Sequence, residues 1–120
     1  MVSFGKIVRL PPDPPSTTGA VPDYTSTHSV LGGAASEILR RFFRNDNVPF
    51  TMTCGNPFPG LTRSFASFSQ AAEENGLSRI YAGIHFRSAV EDGIAQGKRI
   101  GAWAFAHALR PVNDTDIDDK

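Results

Sequence analysis

A chain of 120 residues accommodates one domain with a modest core. Its 12 basic and 12 acidic residues cancel, which excludes a whole-molecule field that would steer it to nucleic acid or an anionic membrane, so recognition must be local. Apolar residues make up 40% of the chain and no run approaches the roughly 18 needed for a membrane span, so a soluble chain without a bilayer crossing is expected.

The first residues have neither the positive start nor the continuous apolar stretch of a secretory signal, and no compartment is assigned by sequence. Between Leu10 and Val21 four prolines stand with serine, threonine and glycine, which predicts an extended Pro-rich arm over residues 1–21. From Ser29 to Phe43 the apolar residues Val30, Leu31, Ala34, Ala35, Ile38, Leu39, Phe42 and Phe43 recur as pairs every four positions, which predicts a helix with one wide apolar stripe. Glu37, Arg40, Arg41 and Arg44 fall mostly off that stripe, and Asn45-Asp46-Asn47 before Pro49 should end the helix.

Pro49 to Thr62 carries three prolines and two glycines and predicts a long central loop. Cys54 within it is the single cysteine, which excludes an intramolecular disulfide or a cysteine-cluster metal site. Ser67 with Gln70 has the spacing of a capping box and opens a second helix reaching Tyr81. Ser88 with Glu91 repeats that spacing ahead of a third helix, which Pro111 stops. Gly93, Gly97 and Gly101 lie four apart on it, each costing roughly 1 kcal/mol of helix propensity relative to alanine, so a tight helix crossing is expected there, with close approach to a ligand as the alternative. The acidic end, residues 112–120, reads as a disordered tail, without the flanking helices of a calcium loop. These elements predict an all-α fold: a partial helical bundle of about three main helices over residues 22–111, with the Pro-rich arm before it.

Chemistry concentrates at helix boundaries. Thr25, Ser26 and Thr27 stand where the arm meets the first helix; hydroxyls beside free N–H groups suit an anion, and plain N-capping explains the same residues. His28 follows at once. Arg79 and His85 are six apart, about 120° from alignment on an unbroken helix, so they converge only across a break, which Gly83 offers. Taken singly, Arg79 reads as an ion-pair partner of Glu73 or Glu74, and His85 as a hydrogen-bonded buried histidine.

Taken jointly, Thr25-Ser26-Thr27-His28 and Ser78-Arg79, five residues, then His85 resemble two signature motifs of one superfamily, P-S-G-H and S-R-x5-H-x3-D. That superfamily comprises the type-2 phosphatidic acid phosphatases and the vanadium-dependent haloperoxidases. The text around the motifs, including Gly32-Gly33-Ala34-Ala35, Phe68-Ser69-Gln70-Ala71-Ala72 and Gly83-Ile84-His85-Phe86-Arg87, resembles the C-terminal portion of the soluble bacterial haloperoxidase-like branch. The resemblance runs from Pro22 to Pro111.

It implies that Ser26 and the Thr27 N–H bond the oxygens of a tetrahedral anion held by Arg79. His85 would be the ligand to the vanadium of vanadate or, with phosphate as the anion, the nucleophile toward phosphorus; His28 would be the acid–base partner. The substrate would be a small molecule or small anion. The implied reaction is oxidation of a halide by peroxide at histidine-bound vanadate. A soluble acid phosphatase working through a phosphohistidine and a non-enzymatic truncated fragment stand as alternatives, so whether the chain alone is an enzyme stays open.

Several positions depart from the family pattern. Thr25 and Thr27 replace its proline and glycine, and Ala89 falls where the closing acid is expected, with Glu91 or Asp92 as substitutes. The family's first motif, K-x6-R-P, finds no match around Lys6 and Arg9, which implies an incomplete anion site. Helices of the larger family bundle would also be missing, so the stripes of the first and third helices should be partly uncovered and favour dimerisation or aggregation.

Overall fold

A computed structural model describes residues 21–55 and 58–108. The Pro-rich arm up to residue 20 and the acidic tail lie outside the described residues. In chain order the elements are α1 (Thr27–Phe43), β1 (Phe50–Thr53), β2 (Thr62–Phe65), α2 (Phe68–Tyr81) and α3 (Arg87–His107). The architecture is mainly helical, as the apolar periodicity predicts.

Helix α1 begins at its N-cap, Ser26, whose hydroxyl accepts from the Ser29 N–H. It ends at Arg44, which takes a left-handed conformation (φ 53°) and sends its N–H back to the Arg40 and Arg41 carbonyls. Asp46 then joins two elements: its carbonyl accepts from Phe68 N–H at 3.2 Å and its carboxylate from Ser69 N–H at 3.1 Å, so the segment closing α1 also caps α2. Ser67 caps α2 from inside by accepting the Gln70 N–H at 3.0 Å. The return bond of the capping box is displaced by one residue, from Ala66 N–H to Gln70 Oε1 at 2.6 Å.

The central segment is not all loop. Phe50 to Thr53 pairs antiparallel with Thr62 to Phe65, Phe50 opposite Phe65. Alternating threonines with phenylalanine and methionine favour a strand, and Pro49 before β1 and Pro59 in the connection both lie outside the paired residues. The hairpin seats Phe50 against Phe65 (centroids 5.3 Å) and Phe68 (5.6 Å), and Phe68 stacks on Phe43 at the end of α1 (5.7 Å).

Start of α3 is the second difference from the sequence reading. Its N-cap is Phe86, without a side-chain cap bond, and Ser88 sits inside the first turn, so Ser88 and Glu91 form no capping box. An outside group supplies the missing acceptor: Asp23 Oδ1 takes the Phe86 N–H at 2.9 Å.

Helices α1 and α3 cross backbone to backbone. A Cβ on Gly97 would lie 2.8 Å from Ala34 N and closer still to the Val30 carbonyl oxygen; one on Gly101 would lie 2.5 Å from the Ala34 carbonyl oxygen. The glycine row therefore serves a tight helix crossing. The price is a small apolar core: the buried apolar side chains are Phe68, Ala72, Ala89 and Val90. The buried face of α1 is Ser29, Gly33, Ser36 and Glu37, whereas Leu31 (69% exposed) and Phe42 (70%) of the apolar stripe face outward, with Trp103 (64%) on α3. Among the described residues the stripes of α1 and α3 are thus partly uncovered. No described helix is long and apolar enough to cross a membrane.

Candidate functional site

The candidate residues gather where α1 and α3 begin and α2 ends. Residue Gly83, in the left-handed region at φ 70°, reverses the chain after α2; Ile84 N–H and His85 N–H then both reach the Arg79 carbonyl, at 3.1 and 3.3 Å. This is the break that brings residues six apart to one helix end. The segment before α1 meets the same place, because Ser26 N–H donates to the Ala89 carbonyl at 3.1 Å.

His85 is buried, its side chain 3% exposed, and its Nδ1 lies 3.3 Å from Asp23 Oδ1. The carboxylate beside this histidine thus comes from the segment before α1. Ala89, where the family pattern puts an acid, is fully buried. Glu91 instead lies 3.8 Å from Arg87 Nη1, and Asp92 stands beside Tyr24, whose phenol it holds above the usual range. His85 Nε2 has no hydrogen-bond partner among the described residues.

Arg79 carries a buried Nε with no partner. The ion pair with Glu73 or Glu74 expected from sequence is not formed among the described residues, and Arg63 grips Glu74 with Nε at 2.9 Å and with Nη2. Leaving a buried guanidinium nitrogen unpaired is unfavourable by roughly 1–3 kcal/mol, so it is an orphan that an anion would satisfy.

Ser26 is fully buried and its Oγ accepts twice from Ser29, from N–H at 3.4 Å and from Oγ at 2.9 Å, leaving its own proton uncommitted. Its observed role is the N-cap. Thr27 and His28 occupy the first turn of α1, exposed, where helix N–H groups have no intrahelical acceptor. His28 is held through its backbone: Asn75 Nδ2 donates to its carbonyl at 2.7 Å, and Asn75 lies one turn before Arg79 on α2. No hydrogen bond joins the His28 and His85 rings among the described residues. Asp23 and Asn75 are two hydrogen-bonding groups beside the candidate histidines that motif spacing did not disclose, since both lie outside the motifs.

Two cavities lie elsewhere. One of about 470 Å³ is lined by Tyr24, Thr25, Asp92, Ala95, Gln96 and Arg99, and one of about 350 Å³ opens between α2 and α3 around Leu77, Ile80 and Ile94; His28, Arg79 and His85 line neither. The candidate donors are a guanidinium, a helix start and an imidazole nitrogen, a set that fits a tetrahedral oxyanion. Among the described residues no group of three or more His, Cys, Asp or Glu is placed to hold a metal ion.

Three helices, the first and third crossing through glycine, with histidine and arginine turned together at one end, define a helical-bundle domain. The chain belongs to the family described as the VCPO second helical-bundle domain, which matches residues 10–114. It is similar to the crystal structure of the first bacterial vanadium-dependent iodoperoxidase, with 43% identity over 80% of this chain and 23% of that one, at a TM-score of 0.67. It is also similar to a holo-type bacterial vanadium-dependent chloroperoxidase, with 25% identity over 71% of this chain and 20% of that one, at a TM-score of 0.60. The chain thus spans under a quarter of the length of either structure. Curated protein sequences give no match.

Proposed function

We propose that this chain carries the histidine end of the oxyanion site of a vanadium-dependent haloperoxidase-like protein. The observation behind this reading is the unpartnered buried Nε of Arg79 at the helix end onto which Gly83 turns His85. Arg79, the Thr27 N–H and the uncommitted Ser26 proton hold the anion's oxygens, so charge is met by a fixed guanidinium and a helix start. His85 Nε2 is the nitrogen that would hold the vanadium of vanadate. Bound vanadate supplies a Lewis-acidic centre at which peroxide is polarised for reaction with a halide. His28, exposed at the first turn of α1, serves as the acid–base group. Alignment to 23% and 20% of the two peroxidase structures leaves the remaining anion contacts to residues beyond these.

The test is a vanadium NMR titration of orthovanadate with the parent chain and with Arg79→Ala and His85→Ala, each checked for helicity by circular dichroism. The parent should broaden or remove the free orthovanadate signal. Each variant loses one charge-assisted or ligand contact of about 1.5–3 kcal/mol and should bind about 10- to 100-fold more weakly. Equal binding by folded variants, or none by the parent up to millimolar vanadate, refutes the assignment. Phosphate release from a simple monoester without vanadate, abolished in His85→Ala, would assign a phosphatase in its place.

A further inference from the structure

We infer that the Asp23 carboxylate fixes the ring tautomer of His85, so that Nδ1 carries the proton and Nε2 presents its lone pair to the anion; the second half of this inference rests on the function proposed above. The His85 side chain is 3% exposed, so bulk water does not choose between its two nitrogens. Asp23 Oδ1 lies 3.3 Å from Nδ1 and accepts the Phe86 N–H at 2.9 Å. An ionised carboxylate only accepts hydrogen bonds, so the ring nitrogen facing it must be the one bearing hydrogen. Because the same oxygen also serves a backbone donor, the carboxylate cannot rotate away without orphaning the N-cap of α3. Asp23 is therefore a positioning residue, acting on the site through His85.

Geometry also explains why the carboxylate comes from this side. Ala89 is fully buried and its carbonyl receives the Ser26 N–H at 3.1 Å, so a carboxylate at position 89 would face a closed interior. The Asp23 side chain is 39% exposed, and its charge stays hydrated while one oxygen reaches inward. A competing account makes Asp23 merely the cap of α3. The two differ in what they predict for the His85 ring.

Long-range proton–nitrogen NMR spectra of the 120-residue chain labelled with ¹⁵N-histidine decide between them, in buffer alkaline enough to keep imidazoles neutral, with His85 assigned through His85→Gln. The parent should show His85 predominantly protonated on Nδ1. Asp23→Ala should move it to the Nε2-protonated form that free imidazole side chains prefer, and Asp23→Asn, which keeps an oxygen acceptor, should retain the parent form. A His85 protonated on Nε2 in the parent overturns the inference by itself, so an unfolded Asp23→Ala variant cannot shelter it. A folded Asp23→Ala with an unchanged tautomer overturns it as well. In the vanadium titration Asp23→Ala should weaken orthovanadate binding about 10- to 100-fold, with recovery in Asp23→Asn. A tautomer change in a chain that never binds vanadate sinks the proposed function and leaves the Asp23 assignment standing; vanadate binding with an unchanged tautomer does the reverse.

Discussion

Replacing Gly97 with alanine tests the contact on which the bundle depends. The new Cβ would lie 2.8 Å from Ala34 N and 2.9 Å from Val30 C, with the Val30 carbonyl oxygen nearer still, and distances below 3.0 Å are ones that Cβ atoms do not occupy. Each neighbour is backbone, so no side chain can turn aside and α1 and α3 must part by more than one ångström at the Val30 carbonyl to reach ordinary contact near 3.4 Å. Overpacking of this kind costs about 1–3 kcal/mol or more, offset by about 1 kcal/mol from the better helix propensity of alanine. Because the Gly97 contact is the tightest of the three, the upper end of that range applies, and a net loss of about 2 kcal/mol should lower the melting midpoint by roughly 10 °C in a domain this small. Gly101→Ala should lose somewhat less, its nearest backbone atom being 2.5 Å away, and Gly93→Ala least of the three, at 2.9 Å from Ser29 Cβ and 3.0 Å from Ser26 O. Gly55→Ala, with nothing within 4 Å, is the control. Thermal melts followed by circular dichroism read the order; a Gly97→Ala midpoint equal to or above the parent's refutes the backbone crossing.

Glu37, paired with Arg40 (2.7 Å) and Arg41 (2.6 Å), has its carboxyl lowered from 4.5 to about 2, chiefly by the Arg40 hydrogen bond against the opposing effect of burial. A depressed carboxyl stabilises the fold above its ordinary pKa and loses that contribution as pH falls, so melts should show about 2 kcal/mol fading between pH 4.5 and about 2, and a Glu37→Gln variant should lack this slope. Asp46→Ala removes the acceptor of the Ser69 N–H and should destabilise α2 by about 1 kcal/mol in urea unfolding; no change would mean that Ser67 suffices as the cap. Outward-facing Leu31 and Phe42 should make the chain self-associate with concentration in sedimentation velocity, and Leu31→Glu with Phe42→Glu should restore the monomer, whereas a parent monomeric at every concentration would show that the patch is tolerated.

Much of the fold was legible because it is written at helical period. The pairs from Val30 to Phe43, the Ser67–Gln70 cap and the glycine spacing of α3 each mark a local preference that tertiary structure kept. The hairpin was masked because its strands are four residues each and stand among prolines, where breakers and strand formers give opposed signals. Which face of α1 turns inward was not legible either: the apolar stripe does not mark it, because the glycines of α3 approach Ser29, Val30 and Ala34, and close approach through small residues took precedence over apolar area. At the site, the turn at Gly83 could be anticipated from the need to bring Arg79 and His85 together. Asp23 could not, because a search for a carboxylate one helical turn beyond His85 looks along α3, whereas the group arrives from 62 residues earlier.

Crossing and site are one construction. Three hydrogen bonds join the segment before α1 to the start of α3: Phe86 N–H to Asp23, His85 Nδ1 to Asp23, and Ser26 N–H to the Ala89 carbonyl. Such a clasp between two chain segments holds only if the helices that follow them run in contact, and Gly93 is the first residue where a side chain would intervene, its Cβ meeting the Ser26 carbonyl at 3.0 Å. Displacing Ser26 would move Asp23, three residues earlier, and through it the ring of His85. Bulk at Gly93 should therefore disturb the His85 tautomer with a small loss of stability, while bulk at Gly101, beside Ala34 and two turns farther along α3, should cost stability and leave the ring as it was. The same glycine row would then act as packing at one end and as support for the candidate site at the other, a difference that follows from which carbonyl each glycine faces.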